Sequence, residues 1–92
     1  MDLDDLLVDS VLKNKPVYED DYMKVLKVIH EFSSGGTNYV KRVQLVVWKK
    51  KNTDVADLDI RTYSKKENQY QKGITLSISE AKELHKILGK YF

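Results

Sequence analysis

Cysteine is absent from the 92 residues, which excludes disulfides and thiolate metal sites and gives no sign of an oxidising compartment. Proline occurs once, at Pro16, where it ends any helix before it by lacking a donor and restricting the preceding residue. His30 and His85 are the only histidines, and no H-E-x-x-H spacing joins them, so a metal centre or an acid–base pair has too few parts. Gly35-Gly36 lies in no G-x-G-x-x-G or Walker pattern and reads as a hairpin turn, not a phosphate loop. No apolar run approaches the ~18–20 residues that span a bilayer. The first residues are acidic (Asp2, Asp4, Asp5), opposite in sign to the start of a signal peptide. The expectation is an intracellular chain that is not an enzyme, with no cofactor, metal, small-molecule substrate or membrane partner.

The net charge of +2 hides an asymmetry. Residues 1–22 hold seven acids against Lys13 and Lys15, a balance of −5, whereas the rest hold fourteen basic and seven acidic groups, a balance of +7. An acidic arm over 1–21 is joined to a basic body over 22–92, and such a body favours a polyanionic partner. A chain this short buries only roughly 60–65% of its unfolded surface, and self-association is one way to bury more.

Within the arm, Leu3, Leu6, Leu7 and Val11 suit one face of a short helix over residues 2–14. Residues 22–32 are rich in Val, Ile and Leu and read as a strand, although Val25, Leu26, Ile29 and Phe32 also fit a helical period. After the Ser33-Ser34-Gly35-Gly36 turn, residues 39–49 alternate Val43, Leu45 and Val47 against Arg42, Gln44 and Val46. Residues 50–55 form a polar loop. In residues 56–64, Leu58, Ile60 and Thr62 point one way and Asp57, Asp59, Arg61 and Tyr63 the other. Asp57 and Asp59 share that second face as paired carboxylates would, but Arg61 beside them suits an ion-pair or dimer-contact role better. A polar loop at 65–68 leads to a fourth strand over about 70–77, with Ile74 and Leu76 inward. Ser77 and Glu80 form a capping box, Ala81, Leu84, Ile87 and Leu88 form an apolar stripe, and Gly89 caps the helix end. The expected class is α+β: a four-stranded antiparallel sheet followed by a C-terminal helix, with much of one sheet face left for solvent, a second subunit or a ligand.

Lysines, arginines and tyrosines recur through the strands and loops of the body. Single-strand binders combine cations that track phosphates with rings that stack on bases, each stack contributing ~1–3 kcal/mol. Solvated lysines and tyrosines filling a sheet face would give the same composition.

The run Asp59-Ile60-Arg61-Thr62-Tyr63, followed by Lys72-Gly73-Ile74-Thr75-Leu76-Ser77, Glu80 and an apolar helix, resembles the PC4 family of transcriptional coactivators, and above all its short bacterial members. The likeness covers residues 56–88 closely and 22–49 loosely. It implies a dimer of four-stranded sheets, with helices at the interface, that binds single-stranded DNA with little sequence preference as a transcription or replication accessory factor. The location would be cytoplasmic or nucleoid-associated. In the family's pattern Arg61 and Lys72 match exposed DNA-contacting cations, and Tyr63 matches an aromatic position. Ser64 stands where that pattern has tryptophan, and Gln71 where it has arginine. The candidate nucleic-acid contacts are Tyr39, Lys41, Trp48, Lys49, Lys50, Arg61, Tyr63, Lys65, Tyr70 and Lys72. Two other readings stay open: a protein-interaction dimer of the same fold without DNA binding, and a single-stranded RNA binder.

Overall fold

The computed structural model describes residues 16–32, 38–51 and 54–92. Five antiparallel strands follow one another as a meander: β1 (Tyr18–Glu19), β2 (Met23–Glu31), β3 (Tyr39–Trp48), β4 (Asp57–Ser64) and β5 (Gln69–Leu76). One helix, α1 (Ile78–Tyr91), closes the chain. The class is α+β as expected, with one strand more than the sequence pattern shows. That strand, β1, has two residues, too few to display alternation, and lies inside the stretch read as an arm. Turn chemistry creates it: the Asp20 carboxylate accepts from the backbone amides of Tyr22 (2.8 Å) and Met23 (2.9 Å), which turns the chain back and sets Tyr18 opposite Val25. The proposed helix over residues 2–14 and the Ser33–Gly36 turn lie outside the described residues.

Two bulges interrupt β2 against β3, between Val25 and Lys27 and between Val28 and His30. Each adds a residue, so Val25, Val28 and Glu31 share a face at a spacing of three, close to a helical period. β3 runs unbroken, and a 3-10 turn over Lys49–Lys51 follows where the sequence suggested only loop.

Register assigns the two faces. Val46, Gln44 and Arg42 of β3 sit opposite Asp57, Asp59 and Arg61 of β4, and this face is the inner one. Met23, Val25 and Val46 are buried on it, and Tyr18, Val28, Trp48 and Tyr70 pack around them. The rings of Tyr18 on β1 and Tyr70 on β5 meet edge-to-face with centroids 4.8 Å apart, so the two outermost strands approach each other and the sheet curls around its core.

The capping box forms as expected: the Ser77 hydroxyl accepts from the Glu80 amide (3.1 Å), and the Glu80 carboxylate accepts from the Ser77 amide (2.9 Å). Gly89 does not end the helix. The helix continues to Tyr91, and the Phe92 amide donates to the Leu88 carbonyl. Only Ala81 of α1 is buried, and the helix packs mainly on β4 and β5. Ile74, expected to face inward, is 57% exposed and pairs with Ile60 on the face opposite the Met23, Val25 and Val46 core. No helix among the described residues is long and apolar enough to cross a membrane.

Candidate nucleic-acid interface

The candidate residues divide into outward and inward groups. Lys41 pairs across β3 and β4 with Thr62 on the outer face, and Lys72 precedes Gly73 on β5. With Ile60, Thr62, Gly73 and Ile74, and with Arg61 at one edge, they line an open cleft of about 200 Å³. Gly73 permits this cleft. A Cβ there would press on the Ile60 carbonyl and lie 2.7 Å from the Arg61 Cβ, so only glycine lets β5 run this close to β4. Lys41 and Lys72 are exposed and make no ion pair with another described residue. Tyr39 is exposed at the start of β3, opposite Ser64.

A larger open pocket, about 510 Å³, lies where β2 begins and β3 ends, lined by Asp21, Tyr22, Trp48, Lys49 and Lys50. The Lys49 amide donates to the Tyr22 carbonyl (2.9 Å), which joins the two sides. Lys49 Nζ meets Glu19 at 2.8 Å and holds that carboxyl below its usual range. Burial pushes the Asp20 carboxyl up, but the Tyr22 and Met23 amides and the Tyr18 hydroxyl outweigh it and leave it lowered. Lys51 meets Asp57 at 2.8 Å, so of the basic run only Lys50 makes no ion pair with a described residue. Tyr22 was missed by the sequence reading. The signal was there, an aromatic directly after the Asp20-Asp21 turn, but nothing in the pattern ties residue 22 to residue 48.

Arg61, Tyr63 and Tyr70 point inward, which corrects the expectation of an exposed Arg61 and an available Tyr63. The Arg61 side chain is 15% exposed. Its Nε and Nη2 donate to the fully buried Asp59 carboxylate (both 3.1 Å at closest), and its Nη1 donates to the Gln71 carbonyl (2.8 Å). Asp59 also accepts from Gln44 Nε2 (3.0 Å) and from the Thr75 hydroxyl (2.9 Å). Thr75 Oγ1 in turn accepts from the Trp48 indole N–H (3.2 Å), and the Arg61 guanidinium carbon lies 5.2 Å from the Trp48 ring centre.

Tyr63 is 8% exposed, and its hydroxyl donates to Asn68 Oδ1. Its ring lies 3.8 Å from the guanidinium carbon of Arg42 and 4.7 Å from the half-buried Tyr70 ring. Arg42 was absent from the candidates, yet it organises this region. Its Nη1 donates to the Tyr70 hydroxyl and its Nε to Glu31, both at 3.0 Å. Burial works against its charge, but these two partners prevail and its pKa is raised. Glu31 also pairs with Lys65 (2.9 Å), and its carboxyl is lowered by Lys65 and Arg42 together. Arg42 and Arg61 face each other across β3 and β4, and each cation has its own carboxylate, Glu31 or Asp59.

His30 is exposed and stacks edge-to-face on Phe32, and among the described residues no three metal-binding side chains cluster. Compared with known proteins, the chain matches no family model and no curated sequence.

Proposed function

We propose that this chain binds single-stranded nucleic acid, DNA in the first instance, with little sequence preference and as a homodimer. One observation carries the reading: the open pocket in which the Trp48 and Tyr22 rings stand beside Lys49 and Lys50. Rings for bases and cations for phosphates are what a single-strand groove requires. The Lys41–Lys72 cleft adds cations on the same sheet. Phosphate contacts come from Lys41, Lys50 and Lys72, and stacking from Trp48 and Tyr22. Nothing about this arrangement reads a sequence.

The dimer rests on α1. Ile87 (47%), Leu88 (44%) and Tyr91 (79%) are exposed on one stripe with Leu84, and Ile74 is exposed on β5 nearby in sequence. A second copy would cover them. The same stripe supports a protein-interaction dimer that binds no nucleic acid.

Fluorescence anisotropy with labelled single-stranded DNA, single-stranded RNA and duplex separates these readings. Single strands should bind more tightly than duplex, and each phosphate contact should contribute roughly −0.7 to the slope of log K against log salt. Lys41→Ala and Lys72→Ala should each flatten the slope by about that amount. Equal binding of duplex, or parental slopes in both variants, sinks the reading. Light scattering should give twice the 10.7 kDa chain mass at micromolar concentration, and Leu88→Asp should give the monomer.

A further inference from the structure

We infer that Arg61 and Thr75 are positioning residues for the Trp48 ring, and that Arg61 is not itself a phosphate contact. The inference rests on the reading of Trp48 as a stacking surface and adds how that surface is held.

Trp48 is the only tryptophan of the chain and ends β3, where the backbone passes into a 3-10 turn. One side of its ring packs against the Met23, Val25 and Val46 core, and polar groups set its orientation there. Two groups do so from the inner face. The Thr75 hydroxyl accepts the indole N–H and donates its own O–H to Asp59, which orients the hydroxyl as an acceptor toward Trp48. Arg61 lies by the ring and is itself clamped by the Asp59 carboxylate through two nitrogens and by the Gln71 carbonyl through a third. A guanidinium near an indole is attracted to the ring's negative face. Asp59 is thus the common anchor, fully buried, and its charge is met by Arg61, Gln44 and Thr75. A guanidinium so engaged, on a largely buried side chain, has little left to offer a phosphate in solvent.

The decisive variants leave Asp59 paired. Thr75→Val keeps shape and removes the hydroxyl; Thr75→Ser restores it. Arg61→Lys keeps the charge and loses the forked geometry. In the unliganded protein, Thr75→Val should shift the Trp48 emission and lower its steady-state anisotropy, and Thr75→Ser should return both to the parental values. Affinity for a single-stranded oligonucleotide should fall about 5- to 10-fold in Thr75→Val and in Arg61→Lys, less than the loss expected for Trp48→Ala. The salt slope should stay parental in both, since no phosphate contact is lost. Parental Trp48 fluorescence and affinity in Thr75→Val overturn the inference. Arg61→Lys binding like the parent, or Arg61→Gln flattening the slope by a full contact, returns Arg61 to the phosphate-binding set. If the parent binds no oligonucleotide, the proposed function fails, while the unliganded fluorescence still decides whether Thr75 restrains the ring.

Discussion

A methyl group at Gly73 has no room, because the atoms it would meet are the Ile60 carbonyl and the Arg61 backbone and Cβ, none of which can swing aside. Gly73→Ala should cost about 1–3 kcal/mol in denaturant unfolding, as overpacked sites do. Tyr63 poses the reverse problem. Its ring fills the space between Arg42 and Tyr70, so Tyr63→Ala should cost about 3–5 kcal/mol of stability before any binding is measured. Tyr63→Phe keeps the ring, loses only the bond to Asn68, and should cost about 1 kcal/mol. Alternation in the sequence placed Arg61 and Tyr63 on the face of Asp59 correctly. It took the side of Ile74 and Leu76 as inner and left Arg61 exposed, because both faces carry charged and apolar residues. The side containing Tyr18, Tyr70 and Val25 became the interior, and the decisive contact joins residues 52 positions apart.

At the level of elements, the helix was legible to its first residue and not to its last. Ser77 and Glu80 announce the start through hydrogen bonds between near neighbours, which a sequence records directly. Ser77→Ala should cost about 1 kcal/mol, read by thermal or denaturant melts. Gly89 looked like a terminus but lies inside the last turn, and a Cβ there meets nothing within 4 Å. Gly89→Ala should therefore stabilise the protein by about 0.5–1 kcal/mol, the opposite sign to Gly73→Ala. In β2 the strand was recognised by its β-branched residues, and its two bulges break the plain alternation of a strand. β1 was invisible because two residues carry no period, and Asp20 was the only local sign of its turn.

For the molecule as a whole, the curl is fastened where Tyr18 meets Tyr70. Burial, with help from the Asp20 carboxylate beside it, pushes the Tyr18 hydroxyl up to about 12, and burial raises Tyr70 in the same direction. An unfolded tyrosine ionises near pH ~10, so the folded state holds these protons more tightly. The stability this contributes is complete below about pH 10 and is lost as pH rises toward about 12. Melting temperatures measured from pH 9 upward should fall across that window, and less steeply in Tyr18→Phe. The same contact has a consequence for folding kinetics. Every strand pairing joins chain neighbours, so the meander can assemble hairpin by hairpin with short loops to close. The Tyr18–Tyr70 closure joins the first strand to the last and can form only after the hairpins between them. It belongs on the native side of the transition state. Changes that remove this ring contact, such as Tyr18→Leu, should accelerate unfolding and leave the refolding limb of a chevron nearly unmoved, whereas Val46→Ala, at the centre of the β2–β3 pairing, should slow refolding.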